Sequence, residues 1–204
     1  MNIPNVLTLS RLVLAIVLIA LLTITFPLAK SLAFAVFIIA GITDYLDGYL
    51  ARRVYGVTSF GRLMDPLTDK VLVCAAFVSF VGIRLPYRPE DALVPAWIVV
   101  IIIAREFLVT GLRLLGASRG EVISAGKWGK HKTVWQIVAI AVLLLGLAIR
   151  HDILHASGRE FLEKFDLAFH FIALAVSAGV ALITAGSGAL YFMQHRELID
   201  RRSS

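Results

Sequence analysis

One cysteine stands in 204 residues, and that scarcity excludes an intrachain disulfide and a thiolate metal cluster. Cys74 lies in an apolar run, where packing is its expected role. Charge is scarce too: Asp, Glu, Lys and Arg make up 17% of the chain, against about a quarter in a soluble domain. Acidic groups are the rarer sign, 14 against 20 basic. No internal repeat, low-complexity tract or second domain is visible, so residues 1–204 are expected to form one unit. The first apolar run lacks a basic leader and a small-residue cleavage site, and five more apolar runs follow it, so it reads as a span and not a removable signal. What remains is 59% hydrophobic with a mean hydropathy of +0.85, the composition of an integral membrane protein. A net charge of +6 and a pI near 9.8 invite a nucleic-acid reading. In a membrane chain, basic residues instead mark cytoplasmic loops and contacts with anionic lipid or phosphate, and no nucleic-acid partner is expected.

The apolar runs predict an all-α, polytopic membrane protein with six transmembrane helices and a short amphipathic N-terminal helix. Ile3, Val6 and Leu7 follow a helical spacing within residues 1–10, which suits a short helix in the headgroup plane. Spans are expected over about 12–28, 31–53, 61–83, 93–115, 127–147 and 165–193, each long enough to cross about 30 Å of hydrocarbon. Residues 54–60 and 116–129 read as loops. Residues 84–91 read as a polar turn and 150–164 as a polar outer loop. Trp97, Trp128 and Trp135 are expected to be interface anchors, and His131 to be solvent-exposed. With the amino terminus inside, the inner segments carry Arg11, Arg52, Arg53, Arg62, Arg113, Arg119, Lys127, Lys130, Lys132, Arg196, Arg201 and Arg202. The outer segments carry Lys30, Arg84, Arg88, Arg150, Arg159 and Lys164. Twelve against six favours a multi-pass protein of the cell membrane with both termini in the cytoplasm.

Against this background four carboxylates stand out. Asp44 and Asp47 end the second span, and Asp65 and Asp69 begin the third. On a helix Asp47 lies about 60° from Asp44, Gly48 about 40° and Ala51 about 20°. One narrow face thus carries two carboxylates beside two residues with little or no side chain. Counting back from Arg53 puts Asp44 roughly 13 Å inside the boundary. Asp65 and Asp69 also share a face, and Pro66 is tolerated in a first turn. If the two spans are antiparallel neighbours, the carboxylate pairs converge near the cytoplasmic face. Carboxylates at that depth need a cation or a water-filled cavity. Oxygen ligands without Cys or His favour Mg2+ or Mn2+, and four of them are enough for two ions acting on a phosphoryl displacement. A second set of opposite sign, Arg105, Arg113, Lys127, Lys130 and Lys132, suits a phosphate-bearing substrate. Arg105 and Glu106 are consecutive on a helix and so are expected to have different partners. An ion-coupled transporter with a carboxylate relay is the rival reading, although paired inverted repeats are missing. A purely structural protein would gain nothing from four buried carboxylates.

The spacing Asp44-x2-Asp47-Gly48-x2-Ala51-Arg52-x8-Gly61-x3-Asp65-x3-Asp69 matches every fixed position of the signature of the CDP-alcohol phosphatidyltransferase family, which the whole chain resembles. Three further stretches, 2–11, 104–113 and 129–136, are most similar to the bacterial members that make phosphatidylglycerol phosphate. Leu114 departs from some members, which carry an acidic residue there. The resemblance implies CDP-diacylglycerol as donor, sn-glycerol 3-phosphate as acceptor, CMP as product, and a homodimer in membrane lipid with its active site facing the cytoplasm. It implies that Asp44, Asp47, Asp65 and Asp69 hold two Mg2+, and that Asp69 is also the catalytic base. The nucleotide would lie against Asp47, Gly48, Ala51, Arg52 and Gly61. The acceptor phosphate would be gripped by Arg105, Arg113, Lys130 and Lys132. Phosphatidylglycerol, serine or inositol phosphate are the alternative acceptors for the same chemistry.

Overall fold

The computed structural model describes the backbone of residues 3–54, 59–118 and 127–194, and the side chains of 10–43, 70–117 and 132–194. Six long α-helices account for most of these residues: α1 (Ile3–Thr23), α2 (Ala29–Val54), α3 (Ser59–Gly82), α4 (Ala96–Ser118), α5 (Lys127–Ala148) and α6 (Arg159–Gln194). The short separate helix expected over residues 1–10 is not an element of its own, because α1 runs unbroken from Ile3. Pro4 falls in its first turn, where a missing N–H costs no hydrogen bond. Among the described residues, two segments, Lys132–Ala156 and Arg159–Gln194, are long and apolar enough to cross a membrane.

The surface is consistent with that. Large apolar side chains point outward along the helices, with Leu182 75% and Val100 63% exposed. Small residues are buried instead: Ala33, Ala76, Ala139 and Ala173 lie at helix contacts in the core. Small buried residues and an apolar exterior are the pattern of helices packed in lipid, where close backbone approach replaces the hydrophobic drive. Between these contacts Leu18, Phe77, Phe80, Ile98, Ile140 and Leu143 fill one continuous core. Phe77 and Phe80 meet edge to face at 6.2 Å, a favoured aromatic geometry. Helix α1 packs on both α2 and α3, α4 on α6, and α5 on α2 and α6.

The connections at the end away from the four aspartates are more ordered than the sequence suggests. Residues 84–91, expected as a plain turn, form an antiparallel hairpin of β1 (Arg84–Leu85) and β2 (Arg88–Ala92). Pro86 and Tyr87 make the turn, proline being suited to its first central position. Residues 150–164, expected as a loop, instead continue α5 into a π-helical turn (Ile149–Ile153) and a 3-10 turn (Leu154–Ala156), and α6 starts already at Arg159. Arg159–Glu163 and Lys164–Glu160 pairs, each four apart, support that early start.

Two charges expected on the outer side are buried and used structurally. Lys30 donates to the carbonyls of Leu21 (3.2 Å), Leu22 (2.6 Å) and Ile24 (3.1 Å), capping carbonyls at the end of α1 that its own ladder leaves unpaired. Arg150 forms a two-pronged ion pair with Asp166, whose Oδ2 also accepts from the Tyr87 backbone N–H at 3.2 Å. Asp152 accepts from the backbone N–H and the hydroxyl of Ser31, both at 2.6 Å. That carboxylate satisfies an otherwise orphaned donor in the first turn of α2.

Candidate active site

Helices α2 and α3 carry the carboxylate motif. Asp44, Asp47, Gly48, Ala51 and Arg52 fall in the second half of α2, and Gly61, Asp65 and Asp69 in the first half of α3. Their side chains lie outside the described residues, as does that of Lys130 at the start of α5. Among the described residues there is no group of three or more His, Cys, Asp or Glu able to hold a metal. The donor chemistry of the motif, four oxygen ligands and no sulfur or imidazole, fits a hard divalent ion.

The described part of the site is a buried ionic cluster centred on Glu106. Glu106 is 4% exposed. It takes Lys132 Nζ on Oε1 as a close ion pair, and Gln136 donates to the same oxygen at 3.2 Å. Lys70 Nζ approaches Oε2 at 3.5 Å, and Arg105 Nη1 stands 3.5 Å from Oε1. Three helices thus converge on one carboxylate: α3 through Lys70, α4 through Arg105 and Glu106, and α5 through Lys132 and Gln136. Lys70 follows Asp69 directly, so the cluster abuts the carboxylate motif in sequence. The expectation that Arg105 and Glu106 have different partners is corrected here: the long guanidinium stem lets Arg105 Nη1 reach back to Oε1 of its neighbour at 3.5 Å, although the closer contacts of Glu106 cross to α5.

Of the four cations expected to hold the acceptor phosphate, the structure brings Arg105 and Lys132 together. Arg113 lies eight residues, about 12 Å, further along α4. Its Nε donates to the Tyr191 hydroxyl at 3.3 Å, and its guanidinium sits 5.5 Å from the Tyr191 ring centre. Arg105 packs against α6 at Gly188, where a Cβ would lie 2.8 Å from Arg105 Cγ. Its Nε is buried with no hydrogen-bond partner among the described residues, and so is Thr184 Oγ1, one turn before Gly188. Buried polar atoms without partners are uncommon and point to an unmet ligand or water.

Glu106, Gln136 and Lys70 were not among the expected site residues. Gln136 and Lys132 are four apart on α5 and share a face, and that pairing in an apolar helix was the available signal. Nothing local signals that Glu106 is their shared acceptor, because the contact joins residues 26 and 30 positions apart on different helices.

The sequence signature of CDP-alcohol phosphatidyltransferases matches residues 1–184. The chain belongs to that family. It is 38% identical over 211 aligned positions to the CDP-diacylglycerol–glycerol-3-phosphate 3-phosphatidyltransferase of Bacillus subtilis, covering 97% of both chains. Proteins of the same description are 39% identical in Rickettsia typhi, over 71% of this chain and 77% of theirs, and 40% identical in Haemophilus influenzae, over 70% and 75%. The family match contains both the aspartate motif on α2 and α3 and the Glu106 cluster.

Proposed function

We propose that this family member transfers the phosphatidyl group of CDP-diacylglycerol to sn-glycerol 3-phosphate, giving phosphatidylglycerol phosphate and CMP. The observation that carries the reading is the full-length similarity to the Bacillus subtilis protein of that description, 97% of each chain. A buried cationic cluster next to the aspartate motif supports a phosphorylated acceptor, since a guanidinium and an ammonium match a phosphate and offer nothing comparable to an uncharged alcohol.

Asp44, Asp47, Asp65 and Asp69 are the residues to hold divalent metal, Mg2+ in the first instance. The bound ions would neutralise the diphosphate of the donor and the departing CMP. The chain's own residues do the rest. Gly48 and Ala51 leave one face of α2 open for the cytidine and ribose, with Arg52 and Gly61 near the nucleotide end. Arg105 and Lys132, with Lys130 and Arg113 as further cations, hold the acceptor by its phosphate and so aim its free hydroxyl. Asp69 takes the proton of that hydroxyl. The hydroxyl oxygen then bonds the phosphorus that carries the diacylglycerol, and the bond from that phosphorus to the CMP oxygen breaks. The phosphoanhydride is already activated, so no further energy source is required.

In this reading all six helices cross the membrane, both termini face the cytoplasm and the protein works as a homodimer. The test is release of CMP by the purified protein in detergent micelles, with glycerol 3-phosphate, phosphatidylglycerol, serine and inositol phosphate offered in turn. Activity with glycerol 3-phosphate alone is expected; activity only with another acceptor sinks the reading.

A further inference from the structure

We propose that Glu106 is a positioning residue for the acceptor phosphate, acting as the buried counter-anion that keeps Lys132 and Arg105 gathered at one point of the bundle. This rests on the reading above and extends it to a residue that makes no contact with the reacting atoms. Lys132 and Arg105 come from different helices, and Lys70 approaches the same carboxylate from a third. Like charges so placed repel, and a lysine ammonium on its flexible stem is free to swing away. A carboxylate between them reverses the sign of the local interaction. Gln136 donates to Glu106 Oε1 at 3.2 Å and so orients the carboxylate itself.

The balance of charge makes this a preparation for phosphate and not a closed structural pair. Among the described residues, Lys70, Arg105 and Lys132 all approach this single carboxylate, so Glu106 is shared between cations and is not closed in one pair. Arg105 Nε, buried and without an acceptor among the described residues, leaves one fixed donor direction on the same guanidinium for an incoming oxygen. The two cations most suited to the phosphate are therefore already assembled before the acceptor arrives, which lowers the ordering cost of binding it.

The experiment compares wild type, Glu106→Gln and Glu106→Asp in micelles, measuring CMP release against glycerol 3-phosphate and against CDP-diacylglycerol, together with the thermal midpoint. Glu106→Gln should raise the acceptor KM about tenfold or more while the donor KM stays within about twofold, the split expected of lost acceptor binding. Glu106→Asp, which keeps the charge, should recover most of that loss. An acceptor KM that is unchanged or lower in Glu106→Gln overturns the proposal, as does an equal rise in both constants. Should Glu106→Gln lose its thermal transition, Gln136→Ala takes its place. It frees the carboxylate without changing any charge and should raise the acceptor KM alone by about threefold; no change there is equally fatal. Wild-type protein that ignores glycerol 3-phosphate overturns the functional reading as well. Wild-type turnover with a flat Glu106→Gln response removes only the role of Glu106.

Discussion

Asp69 and Lys70 are neighbours in sequence with opposite charges. The carboxylate belongs to the motif whose spacing matches the family signature, and the lysine reaches the Glu106 cluster at 3.5 Å. If Asp69 is the base, Asp69→Asn keeps the size of the side chain and removes its proton affinity. Turnover should fall by at least about a hundredfold, the lower range for a lost general base, while CDP-diacylglycerol binding is retained. Near-normal CMP release from that variant would exclude the assignment. Lys132→Ala tests the other end of the site. It leaves Glu106 buried with fewer partners, so the acceptor KM should rise more than the donor KM, accompanied by a lower thermal midpoint. Equal changes in both constants would place Lys132 outside the acceptor pocket. The aspartates, Arg105 and Lys132 were legible as unusual because charge is costly inside apolar helices. That Arg113 turns to Tyr191 and Lys132 to Glu106 was not legible, since each depends on which helix faces which.

Helix pairs impose tighter constraints than their sequences announce. At the α5–α6 crossing a Cβ on Gly146 would land inside the Phe169 ring, so this glycine is needed for close approach. Gly146→Ala should cost about 1–3 kcal/mol, the usual range for overpacking, read as a lower thermal midpoint with both KM values unchanged. At the α4–α6 crossing Gly188 gives Arg105 its space, and the added methyl of Gly188→Ala would stand 2.8 Å from Arg105 Cγ. If Arg105 holds the acceptor as proposed, this variant should shift the acceptor KM as well as stability. An unaltered acceptor KM would show that Arg105 relaxes without consequence. The number and order of the long helices were readable from apolar run length, but not the bounds of the first, which covers Ile3–Thr23 and not about 12–28. The hairpin at 84–92, the π turn after α5 and the early start of α6 were not, because they rest on contacts between distant segments such as Tyr87 with Asp166.

Across the whole molecule, stabilising charge is buried at the end opposite the aspartate motif. Lys30 caps α1, Asp152 caps α2, and Arg150 with Asp166 ties the start of α6 to the hairpin. Asp166→Ala strands a buried guanidinium and should cost about 3–5 kcal/mol, as broken buried pairs do. Its thermal midpoint should drop while the residual folded protein keeps both KM values; a large KM change would connect this end to catalysis. At the other end, chelation of divalent metal should abolish CMP release and added Mg2+ restore it. Full activity after chelation would exclude the metal reading of Asp44, Asp47, Asp65 and Asp69.

Composition and spacing were sufficient for the helical class and the family, because hydropathy and helical period act within a stretch of chain and require no knowledge of its neighbours. They could not reveal that Lys30 and Arg150, which look like ordinary outer charges, are buried and paired, nor that Glu106 collects cations from other helices. Those outcomes depend on which faces of separated helices meet when the bundle closes. A buried charge survives only where another element supplies its partner, and the identity of that partner is a property of the packed bundle.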